Sequence, residues 1–318
     1  MTGGRLENIS VMTKQWDVLA LGNTAVDDLL RVPHYPPADA KVQVLSSSRQ
    51  CGGLAATALV AASRLGASCA YAGVLGGDEL SQFVENTLRH EGIDVSHVVR
   101  RDDAIPVHSR IIVDTARGAR NIFYEVKGSS GADDNLPKAE IICGARVLLV
   151  DPWGEAGTLR AARIARAAQI PIVGDIERSD FETFKELFAL VNHLIVSEDF
   201  ALECTETATP EAAAQALWND ARDVVIVTCG AQGAVALSGE YSSLAPRHHR
   251  AFPIEVVDTT GCGDVFHGAY ATGLAQGLNL DECIRLASAA AALKATQPGG
   301  QSGIPSRVEV EAFLKNQS

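Results

Sequence analysis

The sequence lacks the features that mark membrane and secreted proteins. It contains no apolar run of about 18 residues, the length that a membrane-spanning helix needs. Its beginning, MTGGRLENISVMTK, contains no hydrophobic segment of the kind found in secretion signals. We therefore predict that residues 1–15 are a loose extension and that the protein is cytoplasmic.

Basic residues are fewer than acidic residues. The 27 Lys and Arg residues stand against 39 Asp and Glu residues, which gives a net charge of −12. This balance argues against a nucleic-acid backbone or an anionic membrane as the main partner. It does not exclude an anionic small substrate, because a few local basic side chains can override the global sign.

Several short motifs are missing as well. The seven cysteines, at positions 51, 69, 143, 204, 229, 262 and 283, are scattered, and no CxxC pair occurs. This pattern argues against a disulfide framework or a zinc site and favours a reducing compartment. No GxxxxGKS/T phosphate loop occurs, and neither the HRD nor the DFG motif of protein kinases is found.

What the sequence does contain is a regular alternation of short apolar runs and helical patterns. The runs are nearly all apolar, as in strands that are covered on both faces, so they predict a doubly wound, mainly parallel α/β sheet flanked by helices. Predicted strands cover residues 17–22, 69–76, 146–151, 170–175, 193–198 and 224–230. Predicted helices cover residues 53–65, 78–91, 156–168, 179–191 and 210–221. Together they predict one large domain over residues 16–318.

Two regions interrupt this alternation. Residues 41–50 and 106–126 each carry strand patterns that no helix interrupts, and the second predicts a hairpin that turns at residues 116–119. We expect a small β-sheet lid formed from about 32–50 and 104–127. The alternative is an antiparallel extension of the main sheet.

The segment FPIEVVDTTGCGDVFHGAY, residues 252–270, points to chemistry. A strand pattern leads into a glycine-rich turn and then an apolar helix, whose free N–H groups and dipole make an anion site. A carboxylate there is repelled by a phosphate unless it accepts a proton. Asp264 therefore suggests phosphoryl transfer with a general base, and the alternative is an ordinary N-cap aspartate.

Four motifs resemble those of the ribokinase (PfkB) carbohydrate kinases. DTTGCGDVFHGA (258–269) resembles the C-terminal signature of that family, usually DTxGAGD, and CGGLAATALVAASRLGA (51–67) resembles its N-terminal signature. GNTAVD (22–27) resembles the segment whose aspartate holds sugar hydroxyls, and TCGAQG (228–233) the TxGxxG nucleotide loop. They occur in the family's order and span residues 17 to about 305.

The resemblance implies a ribokinase-like fold with a lid that often forms a homodimer, and it implies ATP with Mg²⁺ as the phosphoryl donor. Asp264 would be the catalytic base. The implied anion hole consists of the amides of Gly261, Cys262 and Gly263. The implied sugar-binding residues are Asp27, Gly52, Gly53 and, in place of a common asparagine, Thr57. The implied nucleotide site is formed by Thr228, Gly230 and Gly233, with Ser197, Thr260 and residues 291–300.

The same resemblance implies two ion sites. A monovalent cation such as K⁺ would lie beside the anion hole, at Asp258 and the loop 296–303. Ser197 and Phe200 stand at both key positions of the family's NxxE motif, so Glu198 or Asp199 would assist Mg²⁺ instead.

The acceptor is expected to be a sugar. The motifs are most similar to those of the sulfofructose kinase and ketose kinase branch, but Trp153 in DPWGE (151–155) suits a neutral sugar better than a sulfonated one. Lys41 is either a contact for an anionic group or a solvated lysine. His108 and Arg110 on the lid are either specificity residues or exposed strand residues.

We expect phosphorylation of a primary hydroxyl of a ketose or pentose. The alternatives are a nucleoside kinase of the same fold and a non-catalytic sugar-binding regulator.

Overall fold

The computed structural model describes residues 14–117, 119–241 and 243–317. The strands of these residues are β1 (Trp16–Leu21), β2 (Ala25–Val32), β3 (Ser46–Gly52), β4 (Cys69–Tyr71), β5 (Val74–Leu75), β6 (Val99–Arg100), β7 (Val107–Asp114), β8 (Ala119–Glu125), β9 (Ala145–Val150), β10 (Ile172–Asp175), β11 (His193–Ser197), β12 (Val224–Thr228), β13 (Ala234–Ser238) and β14 (Arg247–His249). The α-helices are α1 (Leu54–Arg64), α2 (Glu79–His90), α3 (Ala139–Cys143), α4 (Glu155–Ala167), α5 (Phe184–Leu190), α6 (Glu198–Thr205), α7 (Pro210–Leu217), α8 (Cys262–Ala275), α9 (Leu280–Ala295) and α10 (Arg307–Lys315).

Eight strands form the central sheet, in the order β14-β13-β12-β11-β10-β9-β1-β4. The six from β12 to β4 are parallel to one another, and β13 and β14 continue the sheet antiparallel. The prediction of a mainly parallel sheet is confirmed. It followed from the nearly complete burial of these strands, because helices cover both faces.

Two apolar cores lie on the two faces of this sheet. One includes side chains of α1, α2, α8 and α9, and the other includes side chains of α3 to α7. Helices α1 and α8 approach closely at Gly268, where a Cβ would lie 2.0 Å from the carbonyl oxygen of Ala58. Glycine is needed here because any side chain would force the helices apart.

Three sequence predictions differ from the structure. Residues 252–258 form no strand, and the backbone amides of Val257 and Asp258 donate instead to the carbonyl oxygen of Ala295, at 2.8 and 3.1 Å. The predicted strand 69–76 is split into β4 and β5, and β5 leaves the main sheet to pair with β6. The helix predicted at 179–191 covers only α5, seven residues long.

The lid is a separate four-stranded sheet in the order β3-β2-β7-β8. It includes β2, so it begins at Ala25 rather than near residue 32, and residues 33–45 form no strand. Strands β7 and β8 form the predicted hairpin. Because β1 leads almost directly into β2, the lid starts at the carboxyl edge of the central sheet.

The chain outside these sheets shows two further features. Of the predicted N-terminal extension, residues 1–13 lie outside the described residues, while the Lys14 ammonium donates to the carbonyl oxygen of Ala145 at 2.7 Å. No helix in the described part of the chain combines the length and the apolar character that a membrane crossing requires.

Candidate active site

The turn before α8 exposes backbone amides at a helix N-terminus. Gly261 is the N-cap, and its φ of 75° is in the left-handed region that favours glycine. A Cβ at Gly263 would meet no atom within 4 Å, so this part of the first turn faces open space. Free N–H groups and the positive end of the helix dipole attract an anion at this point.

The thiol of Cys262 points away from this turn. Its Sγ lies 3.6 Å from the carbonyl oxygen of Ala291 in α9, and burial raises the pKa of the thiol. A raised pKa keeps the thiol protonated and weakly nucleophilic. Any contribution of Cys262 to anion binding therefore comes from its backbone amide, which already donates to the carbonyl oxygen of Thr259 at 3.2 Å and would have to share that bond.

Asp264 lies in the first turn of α8 without a hydrogen-bond donor among the described residues. Burial raises the pKa of this carboxyl well above its usual range, and the neighbouring Asp175 carboxylate adds to the effect. A partly shielded carboxylate without hydrogen-bond donors holds its proton more strongly than one in water. These surroundings suit a group that accepts a proton during a reaction.

Two residues that the sequence reasoning missed lie beside Asp264. Asp175 ends β10, its Oδ2 has no hydrogen-bond partner, and burial raises its pKa to about 8. His267 lies one turn after Gly263, with Nδ1 3.4 Å from Asp175 Oδ2 and 2.8 Å from the carbonyl oxygen of Gly263. The available signal was an acidic residue directly after an apolar run, since parallel strands direct such residues to one edge.

Asp27 and the start of α1 face this edge from the lid side. A Cβ at Gly52 would lie 2.5 Å from Asp27 Oδ2, so glycine leaves room for the carboxylate, whose pKa is raised by burial. Gly53 is the N-cap of α1 with a φ of 92°. Thr57 is buried, and its Oγ1 accepts a hydrogen bond from Gln301 Nε2 at 3.2 Å. The four predicted sugar-site residues therefore come together.

A cavity of about 390 Å³ lies between the lid and the loops before α8 and after α9. Asp27 and Gln50 line it together with Arg31 and Arg120 from the lid. Asp27 also contributes, as the smallest of the causes, to the raised pKa of Asp264.

Three predicted substrate residues lie elsewhere. Adjacent residues of a strand point to opposite faces, and β7 presents Ile111 and Val113 to the cavity. His108 instead lies 2.7 Å from Asp28, and Arg110 pairs with Glu125 at 3.2 Å.

Lys41 is exposed and precedes β3 rather than lying on a lid strand. These positions argue against the predicted substrate roles of all three residues.

The second cavity, of about 350 Å³, borders the turn before α8 at Cys262 and Gly263. Its lining is mostly apolar and includes the predicted residues Thr228, Gly230 and Gly233, with Cys262, Gly263 and the α9 residues Ser288, Ala291, Ala292 and Ala295. A flat apolar group bound here would hold an attached phosphate chain close to the amides of α8. The predicted residues Thr228, Gly230 and Gly233 and part of the predicted α9 wall therefore lie around one cavity.

Two residues predicted for the nucleotide site have other contacts. Ser197 pairs with Thr228 in the sheet register, but its hydroxyl caps α6 by accepting from the Phe200 amide at 3.3 Å. The Thr260 hydroxyl donates to Asp258 at 2.6 Å. Neither side chain lines the cavity, so both residues shape the neighbouring backbone.

Asp258 does not fit the predicted cation site. Its Oδ1 accepts from the amide and hydroxyl of Thr260 and from Arg120 at 3.2 Å, while its Oδ2 accepts from the Gly299 amide at 2.9 Å. Its backbone carbonyl oxygen accepts from the Lys294 ammonium at 2.8 Å. Four donors already use the carboxylate, and two of the neighbouring groups are cationic side chains that would repel an ion.

Known proteins resemble this chain over nearly its full length. The profile of the pfkB family carbohydrate kinases matches residues 17–307. Ribokinase of Haemophilus influenzae is 27% identical over 93% of this chain and 97% of its own length. Aminoimidazole riboside kinase of Salmonella typhimurium is 30% identical over 84% of this chain and 88% of its own length.

The structure of ribokinase from Thermotoga maritima superposes with a TM-score of 0.81 at 25% identity, over 94% of this chain and 99% of that one. The chain therefore belongs to the pfkB family of carbohydrate kinases and is an ATP-dependent sugar or nucleoside kinase.

Proposed function

We propose that this enzyme transfers the γ-phosphoryl group of ATP to a primary hydroxyl of a ketose or pentose, with Asp264 as the general base. The observation that carries the proposal is the donor-free carboxylate of Asp264 in the helical turn that begins at Gly261 and faces open space at Gly263. One cavity borders this turn at Cys262 and Gly263, and the other borders the residues just before it, Asp258 to Thr260. A base, an anion site and room for two substrates are the requirements of in-line transfer.

In the proposed reaction, the acceptor hydroxyl oxygen forms a bond to the γ-phosphorus while the bond from that phosphorus to the ADP oxygen breaks. The hydroxyl proton passes to Asp264, and the negative charge of the leaving oxygen remains on ADP. The amides of Gly261, Cys262 and Gly263 hold the charge on the transferring group. Asp27 orients the acceptor through its hydroxyls.

Mg²⁺ bound with ATP would neutralise charge on the phosphates. The described residues contain no cluster of three or more metal-ligating side chains. This fits an ion held mainly by phosphates and water with one or two carboxylates, as Mg²⁺ prefers. Glu198 is a suitable carboxylate, because it directly follows Ser197 beside Thr228 and has no ion pair among the described residues.

Support for a sugar over a nucleoside comes from the Asp27 cavity. Its described lining contains no aromatic side chain on which a base would stack. Trp153, the other stacking candidate, already has the guanidinium of Arg178 over its ring at 5.5 Å. One observation favours a nucleoside instead: Tyr124 is opposite Ser109 on the Asp27 side of the lid and is 67% exposed.

The test is a screen for acceptor-dependent ADP release with fructose, ribose, adenosine and aminoimidazole riboside, followed by ³¹P NMR of the product. We expect turnover with a free sugar and phosphate on its primary carbon. Turnover with the nucleosides alone would establish the second function. Sugar binding in calorimetry without ADP release from any acceptor would favour the non-catalytic regulator and refute the kinase proposal.

The lid also supports a homodimer. Its hairpin exposes Ile122, Phe123 and Val126 at 50–52%, which is unusual for large apolar side chains that lie close together. A second lid packed on this hairpin would cover them. Analytical ultracentrifugation of the wild type and of Ile122→Ser/Phe123→Ser should give a dimer and a monomer, and a monomeric wild type would refute the proposal.

A further inference from the structure

Lys294 is a buried cation in the last turn of α9. Its side chain is 0% exposed, which is rare for lysine because an ammonium loses much hydration energy on burial. Among the described residues, its ammonium donates one side-chain hydrogen bond, from Nζ to the carbonyl oxygen of Asp258 at 2.8 Å. A buried lysine with so few partners needs other nearby negative groups to remain charged.

The surroundings of Lys294 supply such groups. Burial and the Arg120 guanidinium lower the pKa of its ammonium, while the carboxylate of Asp258 and, when ionised, that of Asp264 raise it. Lys294 and Ala291 are three residues apart, so they lie on one side of α9. Ala291 contacts the Cys262 thiol, and Cys262 is in the anion turn.

The bond to Asp258 places the ammonium at the start of the turn whose amides would hold phosphate. Asp258 precedes Gly261 by three residues, and the intervening turn is held by the Thr260 and Gly299 contacts to the Asp258 carboxylate. A positive charge fixed there attracts an anion in the turn through a medium of low polarity, where charges interact more strongly than in water.

We propose that the Lys294 ammonium is the resident cation of the anion hole and makes this kinase independent of monovalent metal ions. The proposal rests on the proposed kinase function. It is carried by the burial of Lys294, its bond to Asp258, and the prior use of the Asp258 carboxylate by Thr260, Gly299 and Arg120. Lys294 acts here as an electrostatic residue that touches the turn and not the substrate.

The first experiment measures wild-type ADP release in K⁺, Na⁺ and tetramethylammonium chloride at equal ionic strength. We expect equal rates in the three salts. Activation of several-fold by K⁺ over tetramethylammonium would overturn the proposal, because it would reveal an ion site that Lys294 does not replace.

The second experiment compares Lys294→Met, which keeps the bulk and removes the charge, with Lys138→Met at an exposed site before α3. Calorimetry with ATP needs no acceptor, so it remains informative even if the acceptor is wrong. We expect Lys294→Met to weaken ATP binding and turnover at least about tenfold, since removing one anion-hole donor commonly costs about 10²–10³-fold in kcat. Equal behaviour of the two variants would refute the electrostatic role.

The third experiment separates a charge requirement from a packing defect. Lys294→Ala shortens the side chain and opens space next to the Asp258 carbonyl oxygen. We expect the Lys294→Ala variant to bind ATP more tightly in K⁺ or NH₄⁺ than in tetramethylammonium. Its Tm should also be about 2 °C or more higher in K⁺ or NH₄⁺, because an ion that binds the folded state stabilises it. Identical affinity and Tm in all salts would overturn the proposal. If Lys294→Ala does not fold, the wild type and Lys294→Met decide the question.

Discussion

The substitution Asp264→Asn tests the proposed base most directly, because it keeps the shape of the side chain and removes its ability to take a proton. Loss of a general base commonly lowers kcat by about 10²–10⁴-fold, equivalent to about 3–5 kcal/mol of barrier. ATP binding should be unchanged or tighter, since a negative charge next to the phosphates is lost. Steady-state ADP release and ATP calorimetry measure the two effects separately.

The same substitution should stabilise the fold at alkaline pH. The pKa of Asp264 is higher in the folded than in the unfolded chain, because burial and Asp175 disfavour the charged form. The folded protein then binds its proton more tightly, so this contribution to stability is complete below the unfolded pKa and is lost as pH rises through the folded pKa. Asp264→Asn removes that loss, and urea unfolding should show a larger gain at pH 8 than at pH 5.

A catalytic carboxylate and a structural N-cap differ in what Asp264→Asn does: loss of a catalytic carboxylate lowers kcat and raises the free energy of unfolding at high pH, whereas loss of an N-cap does neither. Replacing an N-cap aspartate usually costs about 0.5–2 kcal/mol of stability and leaves the chemistry intact. A variant with nearly full kcat, or one destabilised at pH 8, would therefore refute the assignment of Asp264. In the wild type, kcat/KM should fall as pH drops through the raised pKa of the free enzyme.

Three further predictions concern the structure around this base. Asp175→Asn should raise the free energy of unfolding at pH 9 by up to about 5 kcal/mol, since burial raises the pKa of Asp175 from 3.8 to about 8, and the gain should vanish near pH 4. Gly268→Ala should lower the free energy of unfolding, measured by urea titration, by about 1–3 kcal/mol, because its Cβ would meet an α1 carbonyl oxygen at 2.0 Å. The control Gly77→Ala should leave the free energy of unfolding unchanged, because its Cβ would meet no atom within 4 Å. Arg120→Ala breaks a 3.2 Å ion pair between the lid and the turn before α8, so chymotrypsin should cut at the exposed Tyr124 faster while the Tm changes little. Unchanged cleavage would show that the ion pair does not hold the lid.

Much of the fold was predictable from sequence because the parallel strands are buried on both faces. That burial demands uninterrupted apolar runs, and such runs are visible without knowledge of partners. The glycines of the site were visible for a related reason. Gly52 makes room for Asp27, and Gly261 takes a φ that few other residues accept. Both requirements can therefore be predicted from the glycine pattern in the sequence.

The errors came from features that depend on distant partners. The lid strands are exposed on much of their surface, so alternation alone did not show which face of β7 meets Asp27, and it left both readings of His108 and Arg110 open. Residues 252–258 have a strand composition but no neighbouring strand to pair with. Their amides meet the end of α9, which lies almost forty residues later in the chain.

Three residues of the site, Asp175, His267 and Lys294, could not be assigned to it from the sequence. Each is on a different element, and each looks ordinary locally: an acid after a strand, a histidine within a helix, and a lysine near a helix end, where such residues are common. Only the fold brings them to the turn before α8. There the acids raise the pKa of Asp264, and the buried lysine offsets part of the negative charge. The same arrangement that strengthens the base must weaken the fold at high pH, so activity and stability should respond to pH in opposite directions across the range in which Asp264 loses its proton.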